Sequence, residues 1–397
     1  MRLKEAFNEW LHIEDDSLLY TIAATKLSHK LDGDPIWLMI IGASSGGKSE
    51  YLRAFTQENE IKIDDLTQNT FVSGYKSKDT EHIPHFAESL SNRIWYIYDL
   101  SILMSKNSEE RSRILSDMRM IYDGHILKKF GNKITADVQI PNNTHICGTT
   151  PVIDNTMLED QMLGTRFITY RIPKSNRHAM MDIIDRNHDR VDLMRESLKL
   201  AVKEYESTID MVEYELDGLD NQNLQLLSNM TTLLRTAVSY DKQGEPSNLA
   251  YPEEPGRLYK QMKKLYTAYR MIGLTEDEAL RCIRKICVDN INPIRITLLK
   301  HMMNNTLKDE YAGKTSFSTT KLHSCTGIGK KAVKMHMGAL RMLGLVDYSV
   351  EEDQYGRVTR DNWRLLDSNL ILLVGRGKSQ QYGKTLYPLY RKKTLAE

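Results

Sequence analysis

At 397 residues, with 41% hydrophobic and 27% charged residues, the chain is long enough for two or three domains and too apolar to be disordered. Its formal net charge of +1 excludes a global attraction to nucleic acid or an anionic membrane, so any basic surface must be local. The opening MRLKEAFNEWLHIEDD has no apolar secretion segment, and no uncharged run approaches bilayer length. The expectation is a soluble cytoplasmic protein with no membrane partner. Cys147, Cys282, Cys287 and Cys325 lack CxxC spacing and are expected to be reduced, packed thiols rather than metal ligands.

Helical spacing of Leu3, Phe7, Trp10, Leu18, Leu19, Ile22, Leu27 and Leu31 predicts a helical segment over 1–34, ended by Asp-Gly-Asp-Pro. The run IWLMII at 36–41 predicts a strand buried on both sheet faces. It feeds into Gly42-Ala43-Ser44-Ser45-Gly46-Gly47-Lys48-Ser49, which fits G-x-x-x-x-G-K-[ST], and SEYLRAF then predicts a helix. Glycines in such a loop let backbone N–H groups turn inward on phosphates. The lysine reaches the terminal phosphates, the hydroxyl of Ser49 takes Mg²⁺, and the helix N-terminus points at the anion. The ligand expected is ATP with Mg²⁺.

A second apolar run, IWYIY at 94–98, ends in Asp99, about fifty residues downstream. P-loop ATPases keep there the carboxylate that holds Mg²⁺. The following residue is Leu100, where the usual catalytic glutamate would stand. Glu50 is the candidate to polarise the attacking water in its place. It is equally a solvated first-turn glutamate favoured by the helix dipole.

A charged helix is predicted over 108–122, followed by a hairpin over 125–140 turning at Gly131-Asn132, with Lys128, Lys129 and Lys133 near its tip. Lysines there suit DNA phosphates, or simply a solvated hairpin. The strands HICGTT and RFITYRI complete an α/β core with a mostly parallel sheet. Residues 177–307 read as helical, broken by a Gly/Pro/Asn-rich loop over 244–256. From 311 the pattern is helix, turn, helix and strand pair with a turn near Tyr355-Gly356, the outline of a winged helix-turn-helix. Lys330, Lys331 and Lys334 open its second helix, as candidate contacts to duplex DNA or as part of a protein-contact module. The tail after 371 interleaves basic residues with Tyr382, Tyr387 and Tyr390, which suits single-strand binding or a basic disordered tail.

Beyond the P-loop, LTQNTFVSGYKS, YDLSILMS, RILSDMRMIYDGHILKKFG, GTTPVIDN, LGTRFITYRIP and PEEPGRLYKQM follow one another in the order of a known superfamily. Together they resemble the AAA+ ATPases of phages and mobile elements, related to the minichromosome-maintenance helicases. That resemblance covers most of residues 30–345. It implies an AAA+ core over 35–175, an all-α lid over 176–310 and a winged-helix domain with basic tail over 311–397. It implies that Thr149 or Thr150 is the polar sensor facing the γ-phosphate, in place of the family's usual asparagine. It makes Arg166 the arginine finger that reaches a neighbouring subunit's nucleotide, and Arg257 the second sensor in the lid. An arginine finger acting in trans implies a homo-oligomer, and the resemblance suggests a hexamer with single-stranded DNA in its pore, gripped by the 125–140 hairpin. The expected function is an ATP-hydrolysing DNA motor, a ring helicase or helicase loader for phage or mobile-element replication. The other readings are a DNA-bound regulatory or remodelling ATPase that unwinds nothing, and a nucleotide sensor with slow hydrolysis, which Leu100 keeps open.

Overall fold

A computed structural model describes residues 3–74, 85–131, 134–154, 166–174, 176–212, 214–306 and 316–366. Lys133 and the basic tail lie outside the described residues, as does the part of the LTQNTFVSGYKS segment after residue 74. The chain divides into two compact units, one of residues 1–215 and 260–282, the other of 216–259 and 283–397.

The first unit is α/β. Its sheet comprises β1 (Trp37–Ile41), β2 (Ile61–Ile63), β3 (Ile94–Ile97), β6 (Thr144–Thr149) and β7 (Phe167–Arg171), all parallel, in the order β2-β3-β6-β1-β7. A sheet covered on both faces needs continuous apolar strands rather than alternating ones, and β1 and β6 are buried along their whole length. Trp37 anchors the core with rings of Trp95, Tyr122, His145 and Phe167 at 5.2–5.4 Å, and its indole N–H donates to Asn143. Such edge-on contacts add about 0.5–1.5 kcal/mol each beyond area burial.

The expected N-terminal helices are α1 (Leu3–Trp10) and α2 (Ser17–Ser28), both within the first unit. Phe7 stacks on Tyr51 of α3 (Lys48–Phe55), with ring centroids 5.6 Å apart. The short α4 (Ser101–Ser105) and the charged α5 (Ser108–Tyr122) precede an antiparallel hairpin of β4 (His125–Lys129) and β5 (Thr135–Gln139). One hairpin face, Ile126, Ala136 and Val138, joins the core, which fixes its register; Leu127 and Lys129 face outward. Beyond β7 come α6 (Arg177–Asn187), which buries no residue, and α7 (Val191–Ser207), which packs against α1 and α3.

His145 makes the first unit pH-sensitive. Stacked on Trp95 at 3.6 Å and fully buried, it has its imidazole pKa driven down to about 3 by desolvation. The folded state holds this ring neutral while the unfolded chain protonates it near pH 6.5, so stability is lost as pH falls below that value. The expected loss is about 2 kcal/mol from neutral pH to about pH 5, read from urea midpoints, and His145→Gln should flatten the slope.

The second unit contains α8 (Gly218–Arg235), a small hairpin, the start of α9 (Gly256–Met271), the end of α10 (Glu276–Asp289), α11 (Pro293–Thr306), α12 (Thr319–Thr326), α13 (Lys330–Met342) and the antiparallel pair β10 (Val346–Glu352) and β11 (Val358–Leu365). The region expected to be helix and loop alone thus carries strands. β8 (Val238–Tyr240) pairs with β9 (Pro246–Leu249), where Asp241 accepts from the Gln243 and Glu245 amides and Gly244 adopts φ +83°. Strands of three and four residues are too short to leave a period in the sequence. The hairpin rests on α13 so closely that a Cβ on Gly338 would stand 2.7 Å from Pro246 Cγ. Cys147, Cys282 and Cys287 are buried free thiols; Cys325 is exposed, correcting the expectation that all four are packed.

Candidate nucleotide site

The loop 42–49 leaves the carboxyl end of β1 and turns into α3, where open parallel sheets take their ligands. Two left-handed residues on either side of Gly46 bend it, Ser45 at φ +59° and Gly47 at φ +78°. A positive φ at a non-glycine residue costs roughly 1–3 kcal/mol and gathers at functional sites. Gly46 donates to the Ala43 carbonyl at 3.2 Å, and a Cβ there would stand 3.0 Å from the same oxygen. The amides of Ser45, Gly47 and Lys48 donate to no acceptor among the described residues. Successive unpaired amides in a left-handed turn can form an anion cradle. Lys48 is buried and its ammonium lies over the loop, donating to the carbonyls of Gly42 and Ala43 at 2.8 and 2.7 Å. Burial pulls its pKa down, and the charge of Asp99 pushes it back up. These residues fit a polyphosphate with its metal: donors and an ammonium for the anion, the Ser49 hydroxyl and the Asp99 carboxylate for Mg²⁺.

Because β6 lies between β1 and β3, its carboxyl end stands between Lys48 and Asp99. The carbonyl of Thr149 accepts from the Gly42 amide at 3.1 Å, and that of Gly148 accepts from the Leu100 amide at 2.7 Å. Glycine is required at 148, since a Cβ would stand 2.6 Å from the Tyr98 carbonyl oxygen. Gly148→Ala should therefore cost about 1–3 kcal/mol in a urea melt and spread β3 from β6 at the site. Thr149 is fully buried and Thr150 half-buried, and both hydroxyls meet Ser101 Oγ, at 3.2 and 3.1 Å. Leu100, at the position of the usual glutamate, is 3% exposed within the core.

Two expected site residues have partners that sequence did not disclose. Both Glu50 oxygens accept from Arg195 of α7 at 3.0 Å, and Arg53 approaches the same carboxylate. Arg166 forms a fork with Asp123, Nη2 to Oδ2 at 2.6 Å, and lies over the Tyr122 ring; its carbonyl accepts from Gln261. It stands just before β7, whose Phe167 to Arg171 run in register with Trp37 to Ile41. Arg166 is therefore about 20 Å along the strands from the start of its own P-loop, at their opposite ends. Arg257 is the second residue of α9 and belongs to the second unit, whereas the P-loop belongs to the first.

A further ion pair was missed from the sequence: Arg171, beside Ile41 at the P-loop edge, forks onto Asp154 at 2.7 and 2.9 Å. Partners 17 residues apart, on different elements, leave no pattern in a sequence. Among the candidate DNA lysines, Lys128 binds the buried Asp117 at 2.5 Å, whereas Lys129, Lys330, Lys331 and Lys334 are exposed.

No family model matches the chain, and no curated protein matches it. Among solved structures it is similar to the ORC1 protein of Aeropyrum pernix in a complex with DNA, at TM-score 0.27 and 10% identity over 96% of this chain and 95% of that one. It is also similar to the C-terminal region of NrS-1, an apo form, at TM-score 0.26 and 10% identity over 92% of this chain and 75% of that one. Neither likeness is close enough to carry an assignment. No helix among the described residues is long and apolar enough to cross a membrane.

Proposed function

We propose that the chain is an AAA+ ATPase that hydrolyses ATP as an oligomer and couples hydrolysis to work on DNA. The observation that carries the reading is the convergence at the carboxyl ends of β1, β3 and β6 of a strained glycine-rich loop, the Lys48 ammonium, the Asp99 carboxylate and the Thr149–Thr150 hydroxyls. The insertion of β6 between the P-loop strand and the Asp99 strand supports the AAA+ assignment suggested by the sequence motifs.

Loop amides and Lys48 bind the phosphates, and Ser49 with Asp99 would hold Mg²⁺, which supplies charge neutralisation when bound. Arg166, far from the P-loop of its own chain, completes the site of a neighbouring copy after exchanging Asp123 for the transferring phosphate. Arg257 serves as the second sensor. A ring, hexameric by the family resemblance, would thread single-stranded DNA past Lys129 and its neighbours on the β4–β5 hairpin. The α12–α13 pair with the β10–β11 wing is read as a winged helix for duplex contact through Lys330, Lys331 and Lys334. A cytoplasmic replication helicase or helicase loader of a phage or mobile element is the most specific form of this reading.

One observation favours a remodelling ATPase that does not unwind: Lys128, a lysine of the pore hairpin, is already neutralised by Asp117. Turnover measured with and without single-stranded DNA, alongside a strand-displacement assay, separates the two. Stimulation with displacement supports the helicase. Stimulation without displacement supports the remodeller, and absence of ATP hydrolysis overturns both.

A further inference from the structure

Ser101 stands where the metal-side loop meets the phosphate-side strand. Its amide donates to Asp99 Oδ1 at 2.9 Å, holding that carboxylate at the head of α4. Its hydroxyl accepts from the Thr150 amide at 3.0 Å and meets Thr149 Oγ1 and Thr150 Oγ1 at 3.2 and 3.1 Å. A serine hydroxyl has one proton and two lone pairs. The Thr150 amide takes one lone pair, so one proton and one lone pair remain for two threonine hydroxyls. One threonine must therefore donate to Ser101 and the other must accept from it. The acceptor keeps its own proton free to donate elsewhere. Thr149 is fully buried, which suits the inward donor, and the half-buried Thr150 suits the residue whose proton points outward.

We propose that Ser101 is a positioning residue for ATP hydrolysis, and that through it Thr150 rather than Thr149 presents a hydroxyl proton to the terminal phosphate. This inference rests on the nucleotide-hydrolysing reading above. The close approach that Gly148 permits between β3 and β6 makes the network possible, because it brings the head of α4 against the end of β6.

The test is steady-state ATPase on the full chain, with ATP-analogue binding measured separately, for Ser101→Ala, Ser101→Thr, Thr150→Val and Thr149→Val. Ser101→Ala and Thr150→Val are each expected to lower kcat by about 10- to 100-fold with nucleotide affinity within about twofold of the wild type. Ser101→Thr keeps the hydroxyl and should restore most of the rate. The double variant Ser101→Ala/Thr150→Val should be little slower than either single one, as residues acting in one network are not additive. Retained analogue binding certifies the fold of each variant. A Ser101→Ala enzyme at the wild-type rate overturns the proposal, as does a Thr149→Val loss matching that of Thr150→Val. Lys48→Ala distinguishes the two levels. If the wild type hydrolyses ATP and Lys48→Ala does not, while Ser101→Ala is unaffected, this inference fails and the ATPase reading stands. If the wild type shows no turnover, the ATPase reading itself fails.

Discussion

Lys48→Ala should abolish ATP turnover, with a fall in kcat of about 10²- to 10³-fold or more, while the folded protein remains as stable as the wild type. The ammonium donates to two carbonyls of its own loop and sits at a buried position where desolvation disfavours its charge. Its removal therefore relieves an electrostatic cost even as two hydrogen bonds are lost, and these offset within about 1 kcal/mol. In the transition state nothing offsets it, because charge developing on the phosphate then meets no cation from the loop. A urea melt matched to the wild type with turnover at background is the expected pair of results. Wild-type turnover in Lys48→Ala would remove the P-loop from the chemistry altogether.

Arg166→Ala should retain nucleotide binding and lose hydrolysis, by about 10³-fold or more if the guanidinium acts on a neighbour's phosphate. The geometry explains why the action must be in trans: Arg166 and the P-loop lie at opposite ends of paired parallel strands in one chain. Its present partner, Asp123, has a half-exposed carboxylate, while Arg166 is buried against the Tyr122 ring, so losing the pair and that contact should cost about 1–2 kcal/mol. The decisive measurement mixes two inactive proteins. If Arg166 acts in trans, a site is competent when Lys48 comes from one protomer and Arg166 from the next. An equimolar mixture of Lys48→Ala and Arg166→Ala should then recover about a quarter of wild-type turnover if subunits exchange at random in a closed ring. No recovery, with exchange shown by a labelled subunit, would confine Arg166 to its ion pair with Asp123.

Legibility in the sequence followed the range of the physics involved. The β1 strand, the loop 42–49 and α3 were readable because each rests on residues close together in the chain: an apolar run, glycines at a turn, and a helix start. The 108–122 helix was readable for the same reason, with Asn107 capping the Glu110 amide. The β8–β9 hairpin was not, because three- and four-residue strands have no period of their own and gain their stability from neighbours such as α13.

Local chemistry in the chain was enough to mark the loop 42–49 as a candidate phosphate cradle, to propose Lys48, Ser49 and Asp99 as its charged and polar participants, and to flag Leu100 where an acid is usual. The partners those side chains take came from the fold. Glu50 turns to Arg195, Arg166 to Asp123 and Lys128 to Asp117, while Ser101 bridges two threonines that arrive on a different strand. Sequence encodes the chemistry of each group directly. Hydrogen bonds and ion pairs between groups distant in the chain depend on strand order and helix packing, which are settled by burial summed over the whole core rather than by any one segment.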